Sequence, residues 1–417
     1  VVAWHLLANQ TPTPNNWGVH HYAYLSDGWL AAGVAGAILL FAVFWLGLPR
    51  RLEGRFPAPL PALLAALGGG IAFWALRART DYLGDGTLWV ESLTQGQLIW
   101  IHEPLTIFGA YGLTRVMGTP DPALVYTVLS ILAGMIYFGA AAVFAREVVQ
   151  DGWGRWLVFG LLALAGLTRL FYGYIETFPL LAAISMVYLV LAVRYVRGRG
   201  SVFLVSLMAT LAVFIHVSGL FLLPSLVYLL WTGPPDRSRG PGGRLAALLI
   251  PAVAHAGGLF LLRSTPVDLG LILGSYFGNV LPLGEAVELR MPYSVFSLDH
   301  VRDFLQEQLL VGPFAALFVL VLLLFGGLGR LGYEGRFLLW VAIPWWGFSF
   351  FFNRIAGAAC DWDNFAVASI PFLMLAGMSL ARLPWRHERL RLAGALSGIV
   401  LAASFFHTFP WVGLGTD

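Results

Sequence analysis

Residues 60–96 read LPALLAALGGGIAFWALRARTDYLGDGTLWVESLTQG: an apolar run as far as Leu76, the cations Arg77 and Arg79, and then the acids Asp81 and Asp85. The run is long enough to enter a bilayer, where a crossing helix takes about 20 mostly apolar residues and fewer where the membrane is locally thin. The polar stretch behind it cannot follow into hydrocarbon, because backbone groups there have to be bonded internally. One segment therefore sets out a pattern for the chain: a helix through the membrane, then a polar loop at its surface.

Composition extends that pattern to the whole. The chain has 417 residues, 59% hydrophobic and 11% charged, with a mean hydropathy of +0.77; a soluble domain carries about 25% charged residues. These values exclude a soluble enzyme and a disordered chain. The reading is an all-α polytopic membrane protein, one transmembrane domain over residues 1–417, with about twelve transmembrane helices and interfacial helices on the outer face. The spans start near Gly28, Leu60, Pro122, Arg155, Thr177, Ser201, Ser218, Leu245, Leu309, Phe337, Phe365 and Leu392. The run from Ser201 to Trp231 is too short for two full spans, which predicts a pair of short helices meeting near His216 to Gly219. Cys360 is the single cysteine, so no disulfide forms within the chain, and the absence of lysine excludes Schiff-base chemistry. Nucleic acid is not an expected partner.

Charge gives sidedness. The loops holding Arg50, Arg51 and Arg55, then Arg194, Arg197 and Arg199, and then Arg382, Arg386, Arg389 and Arg391 are basic, while the alternate loops hold most of the acids. The positive-inside rule puts the basic set in the cytoplasm. Both termini and the two long loops, 77–121 and 263–308, are then expected on the outer face. Val1 to Gly28 lack a basic start followed by an apolar run, so no cleavable signal peptide is expected. The expected location is the inner (cytoplasmic) membrane, multi-pass, with a periplasmic or extracellular working face where nucleotide-activated substrates are absent.

The polar residues of the first outer loop come in two groups. Asp85 directly precedes a short amphipathic stretch containing Leu88, Val90, Glu91 and Leu93, where an aspartate can cap a helix. Farther on, His102-Glu103-Pro104-Leu105 opens the moderately apolar segment Pro104 to Met117, read as an interfacial or re-entrant helix. An acid just past an early outward-going span, a short amphipathic helix, and a Pro-Leu turn into another interfacial helix together resemble the GT-C superfamily of integral-membrane glycosyltransferases. That superfamily includes protein O-mannosyltransferases and lipid A aminoarabinose transferases. The matching pieces are Asp81 and Asp85, Trp89 to Gly96, and His102 to Leu105. Three details depart from the family pattern: the two acids are four residues apart rather than adjacent, Glu-Pro-Leu replaces Pro-Pro-Leu, and two spans precede the loop rather than one.

The resemblance implies a transferase that takes a sugar from a polyprenyl-phosphate-linked donor to an acceptor, which is a protein, a lipid or a glycan, at the outer membrane face. Such a reaction needs a base for the acceptor proton and a cation for the departing phosphate. Asp85 is the expected base, with Asp81 and Glu103 in support. Arg354, and after it Arg169, are the expected phosphate ligands, since a guanidinium grips phosphate oxygens bidentately without a metal. His102, Tyr172, Glu176, Asp361 and Asp363 are further substrate-binding candidates. Glu176, just ahead of an apolar run, is either functional or paired with Arg169. Asp361-Trp362-Asp363 spells the metal-binding triplet of nucleotide-sugar transferases, but that chemistry needs a cytoplasmic nucleotide pool, so it is read as a polar floor for the donor headgroup.

No cofactor and no metal site is expected, with one cysteine and no His-x-x-x-His pair; a divalent cation shared by Asp85, His102 and Glu103 is left open but not indicated. His216 and His255 read as satisfied core groups, and His300 as an exposed interfacial residue. Around it, Leu298, Val301, Phe304, Leu305 and Leu309 form the apolar face of a helix expected to lie on the membrane plane. Two other classes fit the same composition, a multi-span transporter and a catalytically silent subunit of an envelope assembly. The lack of a halved repeat counts against the transporter.

Overall fold

The computed structural model describes residues 2–51, 60–80, 83–96, 103–119, 121–232, 280–284, 293–324, 331–353, 357–382 and 390–416, with short pieces at 246–247, 249–250, 253–254 and 257. In these residues the chain is helical, apart from one isolated antiparallel bridge between Val280 and Phe352. The helices of the first half are α1 (Val2–Gln10), α2 (Asp27–Trp45), α3 (Leu48–Arg51), α4 (Leu60–Ala75), α5 (Gly86–Thr94), α6 (Pro104–Met117) and α7 (Pro122–Val148). They are followed by α8 (Gly152–Ala163), α9 (Phe178–Val196), α10 (Val202–Ile215) and α11 (Leu223–Thr232). The second half contributes α12 (Leu298–Val311), α13 (Ala315–Leu324), α14 (Gly332–Phe351), α15 (Asp363–Ala366), α16 (Ser369–Ala381) and α17 (Leu390–Gly413).

Local chemistry starts these helices where the loops end. Asp121 Oδ1 accepts the Ala123 and Leu124 amides ahead of α7, with Pro122 in the first turn, where its missing N–H costs nothing. Asp151 accepts the Gly154 amide at 2.7 Å ahead of α8, and Ser297 the His300 amide at 3.2 Å ahead of α12.

Among the described residues, five helices are long and apolar enough to cross a membrane: Asp27–Trp45, Pro122–Val148, Phe178–Val196, Asp363–Ala381 and Leu392–Gly413. Leu60–Ala75, Val202–Ile215 and Val217–Thr232 are apolar but shorter. The expectation of about twelve spans is thus matched by fewer full-length helices, because apolar runs are broken. The run after Arg155 stops at Ala163 and continues as a 3-10 turn, Gly166–Phe171; the run near Leu309 is interrupted at Gly312. The run near Leu245 lies mostly outside the described residues.

A broken helix inside an apolar body leaves carbonyls to be satisfied. Hydroxyls from neighbouring helices do this for α8: Tyr137 donates to the Leu162 carbonyl (3.3 Å), Thr408 to Leu164 (2.8 Å) and Ser130 to Leu170 (2.8 Å). The pair of short helices near His216 is present as α10 and α11, joined through an extended His216 and a 3-10 turn, Val217–Leu222.

Packing sorts the spans. Asp363–Ala381 has 83% of its apolar window buried and runs through the centre of the bundle, whereas Asp27–Trp45 has 11% and lies on its rim, against α17. α4 and α9 pack on α7, α10 on α9, and α16 on α8. At one end of the bundle the basic connections meet. There Glu147 takes Arg194 (3.4 Å) and Arg199 (2.8 Å), and Glu334 bridges Arg197 and Arg382 (2.5 Å each). The acids of the first outer loop gather at the other end, where α7 and α9 start and α10 stops.

Candidate active site

Glu176 organises that second end. It sits between the 3-10 turn and α9 and is 6% exposed, so its carboxylate has to find donors in the protein. Three N–H groups supply them. The Asp85 amide donates to Oε1 at 2.7 Å, while the Trp89 indole (2.8 Å) and the Thr177 amide (3.1 Å) donate to Oε2. The first two pin the start of α5 to the bundle. Asp85 occupies the N-cap position but makes no side-chain cap bond, contrary to the capping expectation; the work of holding this turn passes to Glu176.

Gly84 makes the close approach feasible. Its φ of 77° is left-handed, and a Cβ there would overlap the Tyr174 hydroxyl and come within 3.1 Å of Asp363 Oδ2 and 3.2 Å of Glu176 Oε1. Tyr174 in turn donates to Asp363 Oδ2 at 3.1 Å, and the Asn364 amide caps Oδ1 at 2.9 Å. On the far side Glu103, at the N-cap of α6, is buried against the α10 break, its Oε1 3.1 Å from His216 Nε2.

Asp85, Glu103, Glu176 and Asp363 therefore form one carboxylate cluster, and among the described residues none of the four is ion-paired with an arginine. Burial, with the charge of Asp363 next, raises the Glu176 carboxyl well above the usual range; the Asp85 and Thr177 amides offset part of that. Burial and the same two carboxylates raise the Tyr174 hydroxyl. Asp85 differs in being exposed at the rim. Partial desolvation, with the charge of Glu103 added, still lifts its carboxyl above the usual aspartate range. A carboxylate so placed accepts a proton more readily than a free aspartate while remaining reachable from outside.

Arg169 lies one layer behind, in the 3-10 turn. Its guanidinium stacks 4.2 Å over the Trp411 ring and donates to the Trp411 carbonyl, with Nε left unpartnered, and burial lowers it to about 10. The pairing of Glu176 with Arg169 offered by the sequence does not form, because each has other partners. Tyr172 sits at the edge of the site, with its carbonyl accepting the Ala78 amide at 2.6 Å and its ring edge-on to Phe73 at 4.9 Å. Asp361 is half-buried just before α15. Asp81, His102 and Arg354 lie outside the described residues.

One histidine departs from its expected place. His300 was expected to be exposed; it is fully buried, with Nε2 2.7 Å from the Phe350 carbonyl, because α12 turns His300, Phe304 and Glu307 inward and leaves Leu298 and Leu305 on the outside. His216 is the satisfied core group the sequence suggested, its ring nitrogens facing the Ser218 amide and Glu103. Trp89, Tyr174 and Gly84 were passed over as site residues. A signal existed for two of them, since Trp89 sits one turn after Asp85 and Tyr174 two residues before Glu176. Among the described residues no group of three histidine, cysteine or acidic side chains is placed to hold a metal ion.

No family model and no curated protein matches the chain. Solved structures do. ArnT from Cupriavidus metallidurans, a lipid A aminoarabinose transferase, aligns in its apo state at a TM-score of 0.57 and 16% identity over 85% of this chain and 76% of that one. The same protein bound to undecaprenyl phosphate aligns at 0.54 and 14% over the same shares. The apo oligosaccharyltransferase of Archaeoglobus fulgidus aligns at 0.52 and 13%, over 86% of this chain and 57% of that larger one. Likeness at such identities speaks to the fold alone: the helical body built around this carboxylate cluster is folded like ArnT and, over a smaller share of that chain, like the archaeal oligosaccharyltransferase.

Proposed function

We propose that the protein is a glycosyltransferase that moves a sugar from a polyprenyl-phosphate-linked donor to an acceptor at the outer face of the inner membrane. Asp85 is its general base, and Glu103 and Asp81 assist it. Arg354, or after it Arg169, takes the donor phosphate. The observation that carries this reading is the place of Asp85 at the open rim of a buried carboxylate cluster, in a chain folded like ArnT. The ArnT structure that holds undecaprenyl phosphate supports a lipid-linked donor.

In this reading the acceptor hydroxyl approaches Asp85 from the membrane surface and gives up its proton as its oxygen attacks the sugar carbon. The bond from sugar to phosphate oxygen breaks, and the lipid phosphate leaves toward an arginine. Glu176 and Trp89 act through the start of α5, holding Asp85 in register. The basic end of the bundle faces the cytoplasm and the carboxylate end faces outward, in keeping with the positive-inside rule.

The test is to incubate purified protein with a panel of polyprenyl-phosphate sugars and measure release of the lipid phosphate. Asp85→Asn preserves size but cannot take the proton, so turnover drops by about 100-fold or more, in the range for losing a general base. Full activity of Asp85→Asn alongside loss in Glu176→Gln would move the base elsewhere; no release by wild type with any donor would remove the transferase reading.

A further inference from the structure

Glu103 is tied down by one oxygen only. It sits at the N-cap of α6 without a cap bond of its own, 6% exposed, with Oε1 on His216 and Oε2 buried without a hydrogen-bond partner among the described residues. The histidine that holds it is itself built in with care. His216 is the extended residue at the α10 break (φ −156°, ψ 137°), and its Nδ1 lies 3.1 Å from the Ser218 amide and 2.5 Å from Ser218 Oγ.

The backbone amide decides the proton's place. An amide N–H only donates, so Nδ1 is an acceptor, and in the neutral ring the single proton is on Nε2, aimed at Glu103. The other contacts hold this arrangement in place. The His216 ring packs tilted against Phe178, centroids 4.5 Å apart, and Thr106 of α6 donates to the Ile215 carbonyl at 3.0 Å. Gly219 lets the turn close on α10, since a Cβ there would stand 2.5 Å from the Ala212 carbonyl carbon.

We propose that His216 and Ser218 are positioning residues that present Glu103 Oε2 to a hydroxyl of the bound substrate, making Glu103 a second substrate-contacting carboxylate beside Asp85. The inference rests on the transferase reading and adds to it the groups that set the second carboxylate. Ser218 fixes the tautomer, His216 fixes Glu103 by Oε1, and Oε2 has no donor among the described residues. An unpartnered buried oxygen is costly in the empty protein, and a hydroxyl that reaches it removes that cost. The influence of the Glu103 charge on Asp85 agrees with the two carboxylates facing one space.

Two readouts test it on the full chain in lipid nanodiscs. The first needs no turnover: nitrogen NMR of histidine-labelled protein, with the His216 signals assigned from their loss in His216→Gln. The expected spectrum is a neutral ring protonated on Nε2; a ring protonated on Nδ1 overturns the proposal. The second compares His216→Phe, which keeps the packing on Phe178 but has no donor, with His216→Gln, which restores one, using lipid-phosphate release from the polyprenyl-phosphate sugars. His216→Phe raises the acceptor KM about tenfold or more, the scale of a lost hydrogen bond to a charged group, and His216→Gln recovers most of it. Equal kinetics for the two variants, with thermal midpoints lowered alike, would show a structural anchor and overturn the proposal. An inactive wild type with the Nε2 tautomer overturns the transferase reading and, with it, the substrate contact assigned to Oε2.

Discussion

Glu176→Gln is the perturbation whose outcome follows most directly from the geometry. Glu176 receives three N–H donors on two oxygens, and glutamine has only one oxygen to offer. The better orientation keeps that oxygen where Oε2 is, serving Trp89 and Thr177, and turns the NH2 toward the Asp85 amide. One hydrogen bond is lost and two donors are made to face each other. Leaving a buried donor without its acceptor costs about 1–3 kcal/mol, so a destabilisation of that order is expected.

The pH dependence carries the sharper test. The Glu176 carboxyl is raised in the folded protein, so the folded state holds the proton more tightly than the unfolded chain does. Its contribution to stability is therefore fully present below the unfolded value and fades as pH rises through the folded one. Glutamine does not titrate, so the gap between wild type and variant should be widest in acid and narrow toward alkaline pH. The assay is thermal unfolding in detergent or nanodiscs, followed by tryptophan fluorescence, from about pH 4 to about pH 9, which brackets a raised carboxyl. A gap that widens with pH, or no gap at all, would falsify the reasoning.

Other outcomes follow from neighbouring features. Gly84→Ala places a Cβ on a backbone with φ of 77° and against the Tyr174 hydroxyl, so a loss of about 2–4 kcal/mol is expected from backbone strain and a disturbed Tyr174–Asp363 bond; wild-type stability and turnover together would contradict it. Arg169→Lys keeps the charge but loses the planar fork over Trp411, so donor affinity falls while acceptor KM stays, as titration with undecaprenyl phosphate would read. A reporter fused after Asp417 should be inactive if it works only in the cytoplasm; an active one reverses the assignment of the two faces.

Much of the fold was visible before any coordinates. The starts at Leu60, Pro122, Thr177, Ser201 and Leu392 fall within two residues of observed helix starts, because an apolar run bounded by proline, serine or arginine has few alternatives near a membrane. The break near His216 could be read from length alone. The interruption at Ala163 could not, since the side chains that satisfy the carbonyls around it, Tyr137, Thr408 and Ser130, belong to other helices.

The site divides in the same way. Each of the four acids drew notice on a local ground: Asp85 before an amphipathic stretch, Glu103 in the His-Glu-Pro-Leu turn, Asp363 in the Asp-Trp-Asp triplet, and Glu176 ahead of an apolar run, where an ionised group has to be paired or put to use. Their meeting in one cluster, Glu176 turning to Trp89 instead of Arg169, and Glu103 turning to His216 were not legible. Glu103 and His216 are more than a hundred residues apart, and hydropathy carries no information about which helix end lies beside which. The membrane class, the charge sidedness and the short list of acids are local or summed properties, and the sequence by itself determined them. Which carboxylates share a space, and which have no arginine partner among the described residues, depend on packing across helices, and only the tertiary structure decided that.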